Sequence, residues 1–291
     1  MLAAAPASPG FWDWSLDPPL VLVIDLAVLY WLGDRRTVTP ERKRVAQRWR
    51  NACFYAALAV LAIALASPIE ALSEQLFWVH MVQHVLLIVV AAPLIVLAHP
   101  WIRLWRCLPL HTRRWLARNL SHGRRTAPLR ALSRALGGPI AGFLAFSVVL
   151  LAWHVPAFFD ATLRSSALHA LEHTLFFVTA LMFFKQVIPS PPLRTTLAAS
   201  HRVVFAIGGM IVSWALAVVL ALAPHALYAH YAHEASRPGG ITAIADQQLA
   251  AGIMWVPGSI TFLLVVFVYV HRWLTPPGQG TARAGRLASE H

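Results

Sequence analysis

The sequence has little charge. Of its 291 residues only 12% are Asp, Glu, Lys or Arg, against 58% hydrophobic, where a soluble domain carries about 25% charged residues. A chain this apolar cannot cover its own surface with polar groups. That argues against a soluble globular enzyme, and the same balance excludes disorder. Cysteine is almost missing: Cys53 and Cys107 are the two present, they form no CxxC, and they supply neither a disulfide framework nor a Cys-only metal site. A thiol-based metal carrier is therefore not expected. Acidic residues are outnumbered 12 to 24 by basic ones. No glycine-rich phosphate loop, nucleophilic serine motif or internal repeat stands out, and the segments between apolar runs are too short for a catalytic domain. No enzymatic activity is expected. Met1–Gly10 lacks the basic region before an apolar run that marks a signal peptide.

What the sequence does have is apolar runs. A membrane-spanning helix needs about 20 mostly apolar residues. Candidate spans lie at about 18–33, 49–67, 76–98, 138–153, 168–188, 203–223 and 249–270, the first and fourth short, the third containing Pro93, and the last interrupted by Pro257 and Gly258. The expected fold is all-α, a single polytopic bundle of seven transmembrane helices over residues 1–291, embedded in the lipid bilayer.

The basic residues set its orientation. Of the 24 lysines and arginines, all but Arg164 and Arg237 fall in alternate connections or in the C-terminal tail. One cluster runs from Arg35 to Arg50, and the densest from Arg103 to Arg134. Cytoplasmic loops carry the excess of Lys and Arg, so the N-terminus is expected outside and the C-terminus in the cytoplasm. Strict alternation requires both short spans. Trp12 and Trp14 fit an aromatic anchor at the outer interface. The Arg-rich connection 99–137 reads first as a topology signal, lying partly as an amphipathic helix on the inner leaflet; its other reading is a docking surface for a partner or anionic lipid. Its position between spans argues against nucleic acid. Asp25, inside the first span, is costly unless paired, and is expected either to face an internal cavity or to pair with a neighbouring helix.

The 14 histidines are unevenly placed. His80, His84, His154, His169, His173, His225, His230 and His233 fall at the outer ends of spans or in an outer loop. The other six are scattered among inner basic residues. In HMVQH, His80 and His84 are four apart; in HALEH, His169 and His173 are four apart with Glu172 between them. Residues at i and i+4 share a helix face. At about 1.5 Å rise per residue His84 and His173 each lie roughly 10 Å below their helix starts, so the two pairs can meet at one level. The bland reading of each histidine is a buried hydrogen-bonding group; two such pairs plus His154 at one membrane face favour a shared site. His225, His230 and His233 read as an interfacial loop with tyrosines. In ADQQLAAGIMWVPG, Asp246 lies at the outer boundary, and Met254 lies at a depth similar to the histidines. A thioether near imidazoles suits copper(I), zinc or a b-type haem is satisfied by histidine alone, and proton handling is also open.

The stretches NACFYAALAVLAIALASPIEALSEQLFWVHMVQHVLL, AWHVPAFFDATLRSSALHALEHTLFF and DQQLAAGIMWVPG together resemble the CtaG-type assembly factors of caa-type cytochrome c oxidase, seven-span proteins of the bacterial plasma membrane. Nearly the whole chain takes part. One small departure is Ala251–Gly252, where the family often has paired glycines. The resemblance implies a non-enzymatic assembly factor that binds copper on the outer side and supplies it to the copper centre of an oxidase subunit. Copper(I) is then the expected cargo. His80, His84, His169 and His173 are its expected principal ligands, Met254 and His154 secondary ones, and Glu172 and Asp246 groups that orient a histidine or line the entrance. A metal-free scaffold for oxidase subunits and a haem-binding redox protein are the competing readings.

Overall fold

The computed structural model describes residues 18–193, 195–234 and 237–275, with the side chains of 121 and 122 left aside. Trp12 and Trp14, Met1–Gly10, Arg194, Arg283, Arg286 and His291 lie outside the described residues. Among those described, regular structure is helical throughout. In order these are α1 Pro18–Arg35, α2 Arg44–Ala66, α3 Pro68–Ser73, α4 Phe77–Ala98, α5 Trp101–Arg106, α6 Leu110–His122, α7 Ala127–Gly137, α8 Pro139–Trp153, α9 Pro156–Thr162, α10 Ser166–Val187, α11 Ala199–Leu222, α12 Ala229–His233 and α13 Ala243–Leu274. Short 3-10 turns precede α2 and α13.

Five of these, α2, α4, α10, α11 and α13, are long and apolar enough to cross a membrane. A sixth span results if α7 and α8, bent by 77°, count as one. Helix α1 occupies the place of the first predicted span and carries Asp25, Asp34 and Arg35 within its 18 residues. Large apolar side chains such as Leu22, Val148, Leu222 and Leu264 point outward, as suits helices solvated by lipid, where every backbone group must be satisfied within the helix.

Two apolar clusters hold the bundle. One joins α4, α8, α10, α11 and α13 through Phe146, Phe183, Phe184 and Phe262. The other joins α1, α2 and α4 through Tyr30, Phe54, Leu58 and Leu87. Without a hydrophobic force between helices in lipid, close approach and hydrogen bonds do this work. Gly33 shows the first: a Cβ there would lie 1.9 Å from the Arg103 carbonyl oxygen. Beside it Asp34 accepts from Arg103 Nε at 2.5 Å and from Asn51 at 3.0 Å, and Tyr30 donates to Asn51 at 2.8 Å.

Among the described residues Asp25 neither faces a cavity nor pairs. It is exposed, because α1 turns the side that carries Val23, Leu26, Ala27, Tyr30 and Gly33 to its neighbours. Gly252 stands in open space, while Ala251, the residue that departs from the paired glycines, is buried within the core cluster.

Pro93 leaves a mark on α4. The segment Leu86–Ala91 winds as a π-helix between two α-helical stretches. Within it hydrogen bonds run to the fifth residue, as from the Ala92 N–H to the Leu87 carbonyl, and Pro93 has no N–H to continue the ladder. The hydroxyl of Thr261 on α13 donates to the nearby Val89 carbonyl. The Arg-rich connection folds as α5, α6 and α7; Arg103 is buried against α1, whereas α7 buries none of its residues.

Candidate metal centre

Helices α4 and α10 start at the same end of the bundle. Asp246, at the first turn of α13, accepts hydrogen bonds from the backbone N–H groups of Phe77 at 3.0 Å and Trp78 at 2.8 Å. It caps the first turn of α4 from another helix, where orphan N–H groups and the helix dipole favour a carboxylate. Ser165 caps α10 in the ordinary way, its hydroxyl accepting from Leu168 N–H at 3.5 Å. His84 is the eighth residue of α4 and His173 the eighth of α10, so equal rise brings them to one depth.

There the two helices put their polar faces together. One ligand atom each from His80, His84, Glu172 and His173 lies within 4.8 Å of the others, and all four side chains are buried. Nε2 of His80 is 2.9 Å from Nε2 of His84. The Glu172 carboxylate lies 3.9 Å from His80 Nε2 and 3.8 Å from His84 Nε2. His84 and His173 meet with ring centroids 5.4 Å apart. Neither oxygen of Glu172, nor His84 Nδ1, nor His173 Nε2 has a hydrogen-bond partner among the described residues. Buried polar groups are almost always paired, and this many open donor and acceptor atoms around one point could hold a metal ion.

His169 sits at the edge of this group. Its ring contacts those of His173 at 4.2 Å and His80 at 5.1 Å. Its Nδ1 lies 3.5 Å from Glu70, a partly exposed carboxylate of α3. Gln83, between the two α4 histidines in sequence, donates to Glu70 and, at 2.7 Å, to the Ala64 carbonyl. His154, at the end of α8, lies on the other side, its ring 6.1 Å from that of His84. Met254 lines the cavity below His84 and His154. Thus His80, His84, His173 and Glu172 come together, while His169, His154 and Met254 surround them. Asp246 meets the start of α4 rather than any imidazole.

Two tyrosines complete the shell. Tyr231 Oη is 3.1 Å from His80 Nδ1 and donates to the Ser73 carbonyl at 2.5 Å. With its hydrogen so used, the phenol oxygen accepts from His80 Nδ1–H, which leaves the lone pair of His80 on Nε2, inside the cluster. Burial holds the Tyr231 phenol well above its ordinary range, so it stays protonated. Tyr228 donates to the His154 carbonyl at 3.1 Å. Both tyrosines arrive on the loop between α11 and α13, held because Asp160 accepts from the N–H groups of Ala229 and His230 that begin α12, each at 3.2 Å. His230, half-buried, and His233, exposed, bond backbone carbonyls of Glu74 and Ala229. Sequence spacing singled out neither Tyr231 nor Glu70; the tyrosine-rich HALYAHYAHE loop was the one available signal. Cys53 and Cys107 are free thiols on α2 and beyond α5, outside this group.

A protein-family model described as cytochrome c oxidase caa3 assembly factor (Caa3_CtaG) matches residues 28–275. No curated protein and no solved structure matches the chain.

Proposed function

Because the chain belongs to the caa3 cytochrome c oxidase assembly factor family, we propose that it is a non-enzymatic copper carrier of the bacterial plasma membrane. In this reading it takes copper(I) from the outer side and passes it to an oxidase subunit. The observation that carries the reading is the buried convergence of His80, His84, Glu172 and His173. Imidazole suits copper in both oxidation states, and the carboxylate offsets the charge of an ion held away from water. Glu70 and His169, partly exposed and just outside, form the entrance. Tyr231 orients His80, as groups behind metal ligands commonly do. Haem fits poorly: the rings already touch at 4.2–6.1 Å, which leaves a macrocycle no gap to enter.

The same reading has seven spans, with α1 and α8 among them, the N-terminus outside and the C-terminus in the cytoplasm. All but two of the 24 basic residues then lie on the cytoplasmic side, as the charge bias of membrane loops requires. Labelling of single cysteines in a cysteine-free chain tests it. Ala232→Cys should react with an impermeant maleimide in intact spheroplasts and Arg118→Cys only after lysis; the reverse pattern inverts the topology.

Elemental analysis of protein purified in detergent without chelators or a metal-binding tag tests the cargo. Near-stoichiometric copper, lost in the double variant His84→Ala/His173→Ala, is the expected result. Iron would favour the haem reading. No metal even after incubation with copper(I) would leave a scaffold that holds oxidase subunits, in which His→Gln changes are tolerated.

A further inference from the structure

The buried quartet contains no sulfur, yet two methionines lie next to it. Met81 and Met254 line one cavity of about 30 Å³ together with His84, His154 and Ser213. One water-sized guest needs about 10–15 Å³ on this measure, so the space admits a single ion stripped of its hydration shell. Two imidazoles at its wall have a nitrogen without a partner among the described residues, His84 Nδ1 and His154 Nε2. Both side chains are almost wholly buried, at 3% and 5% exposure. The tautomer of His154 is set by its other nitrogen: Nδ1 donates to the Leu150 carbonyl at 2.7 Å, which leaves a lone pair on Nε2. Ser213 has given its hydrogen to the Gly209 carbonyl at 3.2 Å and is no donor to that lone pair.

We propose that this cavity is a second metal site, selective for a soft monovalent cation, copper(I); when both sites are filled, the single lone pair of neutral His84 serves the inner ion through Nδ1 and leaves His80, His173 and Glu172 to the outer one. The proposal rests on the copper reading of the quartet and extends it. Thioether and imidazole are the donors that copper(I) prefers. No acidic residue lines the cavity, so a divalent ion would bring two uncompensated charges into an apolar interior, where isolated charge is costly. A monovalent ion brings one, with Glu172 on the far side of His84. The His84 imidazole gives the pair its order. Its Nε2 is engaged with His80 and Glu172, and its Nδ1 is the nitrogen left for the inner site. An ion that enters past Glu70 and His169 meets nitrogen and oxygen first and sulfur second.

The test is the copper(I) stoichiometry of the full-length, untagged protein in detergent, equilibrated anaerobically with copper(I) buffered by a competing chelator, together with copper K-edge X-ray absorption. Two copper ions per chain, one with sulfur neighbours, are expected. Met254→Leu keeps the side-chain volume and should drop the count to one while removing the sulfur signal. Met81→Leu and His154→Gln should do the same, with helical circular dichroism and monodispersity unchanged. One copper in the wild-type protein, with or without sulfur, overturns the second site and leaves the carrier reading standing. Retention of two ions by all three variants also overturns it. A wild-type protein that takes up no copper removes both.

Discussion

Tyr231 Oη stands 3.1 Å from Nδ1 of His80 while giving its own hydrogen to the Ser73 carbonyl. This relation fits His80 to ligate an ion, because it fixes which nitrogen carries the lone pair. It also ties the loop between α11 and α13 to the centre, since Tyr231 is positioned by α12 and α12 by Asp160. Tyr231→Phe keeps the ring and removes the acceptor. Loss of such a partner commonly costs 10–100-fold in metal affinity. Copper(I) affinity, measured by competition with a chromogenic chelator, should fall by about that factor with the stoichiometry unchanged. An unaltered affinity would show that His80 needs no such orientation.

Asp246 acts on the same helix from its start. It is wholly buried and satisfies the N–H groups of Phe77 and Trp78. Removing a cap costs about 0.5–2 kcal/mol, and more where charged hydrogen bonds are buried. Asp246→Ala should therefore lower stability by about 2 kcal/mol, read as a drop in thermal midpoint in detergent, and should weaken copper binding because the first turn of α4 leads directly into His80. Asp246→Asn keeps one acceptor and should lose less of both. Equal losses in the two variants would mean that charge, not capping, is what matters.

Thr261 serves the structure alone. It donates to the Val89 carbonyl in the π-helical turn before Pro93. Thr261→Val is nearly isosteric and removes that hydrogen bond, at a cost of about 0.5–1.5 kcal/mol. The thermal midpoint should fall while copper stoichiometry and affinity hold. A variant that loses copper instead would place Thr261 in the metal centre, more than a turn of helix away from where the structure puts it.

The sequence made some of this legible for simple reasons. The runs that became α2, α4, α10, α11 and α13 each hold an apolar stretch long enough to cross a membrane. The i, i+4 spacing of His80 with His84 and of His169 with His173 is a property of one helix each, readable without any partner. Glu172, three residues from His169 and adjacent to His173, shares that face. What the sequence withheld depends on contacts across the chain. Tyr231 meets His80 from 151 residues away, and Asp246 caps α4 from 169 residues away. No local periodicity encodes either. Asp25 misled for the opposite reason. The cost of a carboxylate in a span predicts a partner, but not that α1 would turn Val23, Leu26, Ala27, Tyr30 and Gly33 inward and leave Asp25 outside.

Gly33 gives the sharpest test of how α1 is held. Its missing Cβ would overlap the Arg103 carbonyl oxygen at 1.9 Å, a backbone atom that no rotamer change can move. Gly33→Ala therefore has to push α1 away from α5, and the neighbouring Asp34–Arg103 and Tyr30–Asn51 contacts open with it. Overpacking of this kind costs about 1–3 kcal/mol. Trypsin should then cut faster in the Arg-rich connection, whose α5 has lost its anchor, and the thermal midpoint should fall. Gly252→Ala is the control. It lies in a helix with nothing within 4 Å of the new methyl, and alanine is the better helix former by about 0.5–1 kcal/mol. It should leave the trypsin pattern unchanged and the midpoint equal or higher. If both glycines tolerate alanine alike, α1 does not sit against α5 as closely as the structure has it.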